Sequence, residues 1–253
     1  MNLTGNTILI TGGGSGIGRG LAEAFHKLGN QVIIAGRRKQ ALDETTVANP
    51  GMESLELDIE DPAAIGAFAA QAAGKFPSLN VLFNNAGIMR AEKLAAQQPD
   101  LRDAEAIVAT NLLGPIRLTA ALLPHLMKQA NAAIVNVSSG LAFVPLAYTP
   151  TYCATKAAIH SYTQSLRYQL KSAGVEVMEL APPYVATNLM SGAEDPRAMP
   201  LEMFIAEVME IFKAQPTPAE ICVNNVKGLR FAAESGRYDA VFNGMNASMV
   251  DVH

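Results

Sequence analysis

A glycine-rich turn constrains this chain more than any other feature. The β-branched run Thr7–Ile10 leads directly into Thr11-Gly12-Gly13-Gly14-Ser15-Gly16-Ile17-Gly18, and a helix-like stretch, Gly18–Leu28, follows. Glycines permit a tight turn, and their missing side chains let backbone N–H groups approach an anion that the helix N-terminus also attracts. A glycine cluster alone is a weak signal. One that ends the first strand and opens the first helix is the setting a dinucleotide pyrophosphate requires. Gly12, Gly14, Ser15, Gly16, Ile17 and Gly18 are therefore candidate nucleotide contacts.

Further apolar runs recur at Gln31–Ala35, Leu55–Leu57, Val81–Phe83, Ala133–Val137, Val175–Leu180 and, weakly, Ala240–Phe242. They do not alternate with polar residues, which suits strands buried on both faces of a parallel sheet. Helix-like segments lie between them at Pro62–Lys75, Leu101–Gln129, Tyr152–Ser172 and Pro218–Glu234. The last opens with Thr217 as N-cap, Pro218 at the first helical position and Glu220 closing a capping box. The alternation predicts one doubly wound α/β domain of seven strands over residues 1–253. With 49% hydrophobic and 17% charged residues, a chain of this length needs neither disulfide nor structural metal. One irregular stretch, Thr187–Gln215, carries Met190, Met199, Met203 and Met209. It reads either as a lid over 187–216 or as an ordinary insertion packed by flexible Met side chains.

Charge and motif arithmetic exclude several classes. Lys plus Arg is 19 against 23 Asp plus Glu, a net charge of -4 with no basic block. That argues against nucleic acid or an anionic membrane as the main partner. Cys153 and Cys222 form no CxxC, and His26, His125, His160 and His253 lack metal-ligand spacing, so no metal site is expected. The N-terminus has no basic and apolar leader pattern, and no unbroken apolar run approaches the roughly 18 residues of a membrane span. A cytoplasmic protein is the expectation.

Ribose recognition is read at the end of the second strand. There the sequence is Gly36-Arg37-Arg38-Lys39, with no carboxylate before Asp43. A guanidinium grips a phosphate bidentately, so NADP(H) is favoured over NAD(H), with Arg37 ahead of Arg38 as the contact. A solvated basic turn is the bland alternative. Asp58 and Ile59 end the third strand, where a carboxylate can accept from an adenine amino group. Asn85, Ala86 and Gly87 end the fourth, small enough to let a cofactor lie against the sheet edge.

Tyr152 and Lys156 stand at i and i+4, on one helix face, as do many such pairs. Ser139 closes the fifth strand after Val135-Asn136-Val137-Ser138, and Asn111 sits inside a helical segment where Asn is mildly unfavourable. Taken singly, each has an ordinary structural explanation.

Together, TGGGSGIG, NNAG, the helical Asn, VNVSS and YxxxK occur in an order that resembles the short-chain dehydrogenase/reductase family from Thr4 to about Gly244. The glycine spacing looks like its compact branch. The runs Asn111–Leu118 and Ser138–Pro145 are similar to the DltE-like bacterial oxidoreductases. The resemblance implies a Rossmann-type parallel sheet in the order 3-2-1-4-5-6-7 with helices on both faces. It makes Tyr152 the acid/base and Lys156 its electrostatic partner and a ligand of the nicotinamide ribose. Ser139 becomes the donor to the substrate oxygen, and Asn111 the holder of a water relaying protons to Lys156. An isolated Tyr has a pKa near 10, which a nearby ammonium would lower.

After the sixth strand the family pattern Pro-Gly-x-Val-x-Thr is departed from. Pro182, Val185 and Thr187 are kept as cofactor contacts, but Pro183 replaces the glycine. The substrate implied is a carbonyl or its alcohol, largely apolar if Met89, Phe143–Leu146 and the Met-bearing stretch surround the mouth. Similar proteins pair through the helices at Leu101–Gln129 and Tyr152–Ser172, which implies a homodimer or homotetramer. Two rivals stand beside a reductase: a non-catalytic NADPH-binding sensor or scaffold, and an epimerase or dehydratase that returns its cofactor. Cys153, next to Tyr152, reads as a packed structural thiol.

Overall fold

Five-residue β-branched runs with both faces covered can only be satisfied inside a sheet flanked by helices, and that is their arrangement here. In a computed structural model, which describes residues 1–93, 100–190 and 195–247, seven parallel strands lie in the order β3-β2-β1-β4-β5-β6-β7. They are β1 Thr7–Thr11, β2 Gln31–Gly36, β3 Glu53–Glu56, β4 Leu79–Asn84, β5 Ala133–Val137, β6 Glu176–Leu180 and β7 Glu220–Ile221. The helices are α1 Gly16–Lys27, α2 Lys39–Ala48, α3 Pro62–Lys75, α4 Arg102–Val108, α5 Gly114–Leu126, α6 Pro150–Leu170, α7 Leu201–Phe212, α8 Asn224–Arg230 and α9 Tyr238–Asn246.

Two apolar layers cover the sheet. One contains Ile8, Ile10, Phe25, Phe83, Val135, Phe204 and Phe212; the other contains Leu9, Ile33, Phe68, Leu118, Leu122 and Leu166. In the first, Phe25 meets Phe83 and Phe212 with ring centroids 5.4 and 5.6 Å away.

Three expectations are corrected. The seventh strand is not Ala240–Phe242, which lies in α9, but Glu220–Ile221, paired with Glu179–Leu180 of β6. No helix starts at Pro218, because the capping groups are engaged elsewhere. The Thr217 hydroxyl accepts from the Met1 amine at 2.9 Å, and Glu220 pairs with Arg230 at 2.6 Å. Nor is Thr187–Gln215 irregular throughout: Leu201–Phe212 is α7, whose Phe204, Val208 and Phe212 are fully buried. Residues 191–194 of that stretch, and His253, lie outside the described residues.

The predicted long helix Leu101–Gln129 is broken in character but not in direction. Between α4 and α5, Ala109–Leu113 forms a π turn, in which the Gly114 N–H bonds Ala109 O. The run Arg102–Leu126 is, by length and composition alone, apolar enough to cross a membrane, an 18-residue window within it having a mean hydropathy of 1.6. Asn111 and Arg117 interrupt it, so it contains no unbroken apolar run of membrane-spanning length. It is a partly buried core helix, with Leu118, Leu122 and Leu126 fully enclosed.

Candidate active site

The turn after β1 is built by contacts that exclude side chains. Gly12 and Gly16 have φ of 69° and 53°, in the left-handed region that favours glycine. A Cβ on Gly18 would come within 2.4 Å of both Gly12 O and Asn85 Nδ2. Thr11 Oγ1 accepts from Asn85 N and Ala86 N at 3.0 Å, tying the end of β4 to this turn. Gly18→Ala is expected to cost about 1–3 kcal/mol through this overpacking. Urea denaturation reads it, and an unchanged midpoint would contradict the contact.

A cavity of about 620 Å³ opens at the C-terminal ends of the strands. All the sequence-predicted nucleotide residues line it except Asp58 and Val185. Asp58 is exposed and accepts from Glu60 N at 3.0 Å. Val185 turns into the core and bridges to Met199. Arg37 donates to Glu60 at 2.8 Å, and Glu60 also accepts from the Thr110 hydroxyl at 2.7 Å. Arg38 donates to the Ser15 hydroxyl at 3.0 Å. Glycine backbone on one side and two guanidinium groups on the other fit a dinucleotide phosphate.

Tyr152 and Lys156 enter the same cavity from α6, both buried, with Lys156 Nζ 5.6 Å from the Tyr152 ring centroid. Burial pushes the Tyr152 phenol up to about 12, while the Ser139 hydroxyl pulls it down. Burial also pushes Lys156 down to about 8, opposed by the charge of Glu179. Lys156 Nζ donates to Val137 O at 2.8 Å. The expected lowering of Tyr152 by Lys156 is therefore outweighed here: the ammonium is directed at a backbone carbonyl, and desolvation dominates both groups.

Ser139 Oγ accepts from Leu141 N at 3.1 Å. Asn111 lies in the π turn, where its amide accepts from Ile88 N at 2.9 Å and donates to Ile88 O at 2.8 Å, pinning the segment after β4. Neither Ser139 nor Asn111 lines the cavity, though both adjoin residues that do.

Of the predicted mouth residues, Met89 lines it, as do Thr187, Asn188, Leu189 and Leu201 of the Met-bearing stretch, whereas Phe143–Leu146 do not. Val144 is fully buried, and Phe143 stacks edge-on against His160 at 4.9 Å. Ile88, Met89, Leu141 and Leu146 do pack against Tyr152 and Cys153. Cys153 is enclosed, exchanging hydrogen bonds with Leu146, and burial pushes its thiol up.

Sequence reasoning missed Glu60 and Thr110, and singled out none of Asn188, Leu189 and Leu201 within the 187–216 stretch, because such residues are gathered only by the tertiary fold. It also assigned nothing to His160, whose Nδ1 lies 2.7 Å from a Glu179 carboxylate oxygen.

Comparison with known proteins agrees with this architecture. Residues 6–198 match the family model described as short chain dehydrogenase. The chain is 41% identical over 251 residues to the uncharacterized oxidoreductase DltE of Bacillus subtilis (strain 168), covering 97% of this chain and 98% of that one. It is 32% identical over 196 residues to dehydrogenase/reductase SDR family member 7B of Bos taurus, covering 74% of this chain and 60% of that one. Among solved structures, a short-chain dehydrogenase of Streptomyces avermitilis is similar with a TM-score of 0.81 at 26% identity, over 99% of both chains. Another, from Burkholderia cenocepacia J2315 in complex with NADP, has a TM-score of 0.81 at 26% identity over 97% of this chain and 99% of that one. With the strand order, the glycine turn and the Tyr–Lys pair of α6 all in place, the chain belongs to the short-chain dehydrogenase/reductase family and is an oxidoreductase with a Rossmann-type nucleotide-binding sheet.

Proposed function

We propose that the protein is an NADP(H)-dependent oxidoreductase that reduces a largely apolar ketone or aldehyde, or runs the reverse oxidation. The observation that carries this reading is that Tyr152, Lys156 and the glycine turn line one cavity. When bound, the dinucleotide supplies or accepts the hydride at its nicotinamide ring. Tyr152, with its phenol held neutral by burial, donates the proton to the carbonyl oxygen. Ser139 directs its hydroxyl at the same oxygen as negative charge develops there. Lys156 holds a ribose hydroxyl and provides positive charge beside the phenol. Asn111 fixes the Ile88 backbone, and it is assigned the relay water that serves Lys156.

Preference for NADP(H) rests on Arg37 and Arg38 and on the engagement of the next carboxylate, Asp43, by Lys39 at 2.6 Å. Because Glu60 already holds Arg37, Arg38 is the cation better placed to close on a 2′-phosphate. The Burkholderia cenocepacia structure holds NADP and a Brucella melitensis 3-ketoacyl-(acyl-carrier-protein) reductase structure holds NADH, so the preference rests on this chain's own guanidinium groups. Arg38→Ala is expected to raise the KM for NADPH about 10- to 100-fold, the value of one or two charge-assisted hydrogen bonds, with little effect on NADH. Arg37→Ala should do less. Equal kinetics with both cofactors in wild type would reject the preference.

The chain is assigned to the cytoplasm as a single domain, with Thr187, Asn188 and Leu189, which line the cavity, at the edge that covers the substrate. A homodimer or homotetramer is supported by an exposed stripe of Ala154, Ala157, Ser161 and Ser165 on α6, with Tyr168 84% exposed beside it. The direct test is NADPH absorbance across a panel of aldehydes and ketones. Consumption with stoichiometric alcohol supports the reading. Binding without consumption supports a sensor or scaffold, and product formed without net cofactor change supports an epimerase or dehydratase.

A further inference from the structure

Beneath Lys156 runs a polar row that the nucleotide reading leaves unused. Asn84, Asn136, Glu179 and Glu220 lie in register across β4, β5, β6 and β7. Asn84 and Asn136 bond each other and the hydroxyls of Thr119 and Thr163. Glu179 is fully buried, one oxygen accepting from the Ser138 hydroxyl and the other facing His160 Nδ1 at 2.7 Å. A carboxylate withdrawn from water is costly even when partnered. Packing does not ask for it, since Val177, two residues earlier on the same face, belongs to the apolar core.

Glu179 touches the strand end that carries the site. Ser138 directly precedes Ser139, and Val137 accepts the Lys156 ammonium. The Glu179 charge also favours the protonated form of Lys156 against its burial. We propose that Glu179 is a positioning residue for the reaction: clamped by His160 and Ser138, its carboxylate seats the Val137–Ser139 strand end on which the Lys156 Nζ is anchored.

The other charged or titratable groups around Glu179 are already matched. Glu220 is held by Arg230 at 2.6 Å, and Arg230 also binds Glu234 at 2.7 Å. Arg167 donates to the carbonyls of Val177 and Ala219. Burial pushes the Cys222 thiol up to about 11. Ligand atoms of His160, Glu179 and Glu220 come within 4.8 Å of one another, but Arg230 supplies the cation at that point. His160 of α6 and the Ser138 hydroxyl are left as the direct hydrogen-bond partners of Glu179.

This inference rests on the role proposed for Lys156, so its test reads Lys156 without turnover. In the whole protein with ¹³C-labelled lysine Cε, the Lys156 resonance is assigned by its loss in Lys156→Arg and titrated. Glu179→Gln keeps an acceptor but removes the charge. It is expected to lower the Lys156 midpoint by roughly one unit, and Glu179→Asp to restore most of it. Because the ammonium is then lost at lower pH, the alkaline limb of kcat/KM should move down by the same amount, with kcat changed more than the KM for NADPH. A midpoint unmoved in folded Glu179→Gln overturns the proposal, as does a moved midpoint with an unchanged pH profile. If Glu179→Gln does not fold, Ser138→Ala/Glu179→Met removes the carboxylate together with its hydroxyl partner and is read identically. A wild type that reduces no carbonyl would sink the functional reading, while the Lys156 midpoint would still decide whether Glu179 acts on it.

Discussion

Tyr152→Phe is expected to lower kcat for NADPH-linked carbonyl reduction by about a thousandfold, the range of a positioned proton donor, with NADPH affinity nearly unchanged. The physical basis is specific to this site. With its phenol pushed up to about 12, Tyr152 keeps its proton throughout the neutral range and is poised as an acid. The ring itself is packed among Ile88, Ile107, Leu141 and Leu146, and Phe preserves those contacts, so loss of rate is not loss of fold. Stopped-flow measurement of the hydride step, beside a thermal melt, checks both halves. A variant as fast as wild type would remove Tyr152 from the mechanism.

Phe212→Ala is expected to cost about 3–5 kcal/mol, a large share of the roughly 5–15 kcal/mol that holds a typical domain folded. Phe212 is fully buried and touches both Phe25 of α1 and Phe83 of β4, so truncation opens a cavity between helix and sheet. The measurement is the urea midpoint and slope. The result separates two views of 187–216. A core helix gives the full loss, whereas a lid that lifts from the sheet would leave global stability nearly intact. Exposed Met203, on the same helix, should be replaceable by Ala at little cost.

What was legible in the sequence was whatever local chemistry dictates. The glycine turn could be read because Gly12, Gly16 and Gly18 are required by φ or by close backbone approach, not by distant partners. Buried strands β1, β2, β4 and β5 carry continuous apolar runs, and the bounds read for Pro62–Lys75 are those of α3. The failures share a cause as well. β7 has two residues, too few for any periodicity, and it exists only because β6 offers an unpaired edge. The apparent capping box at Thr217 was undone by the Met1 amine, which is distant in sequence. In the site, Tyr152 and Lys156 are tied together by helix pitch and so were visible. Glu179 and His160 meet from a strand and a helix, and no spacing rule announces such a meeting.

The π turn at Ala109–Leu113 has a consequence for how this chain can change length. A turn closed one residue wide advances everything before it by about a quarter of a rotation relative to everything after it. α4 and α5 are thus two segments of one rod held out of phase, and the offset lets Ile107 and Leu118 both face inward while Asn111 reaches Ile88. Deleting a single residue between Ala109 and Leu113 would bring the rod back into phase and rotate Ile107 away from Tyr152. Point substitutions here can be absorbed by repacking; a one-residue change in length cannot. The segment behaves as a counted spacer, in which the number of residues matters as much as their kind.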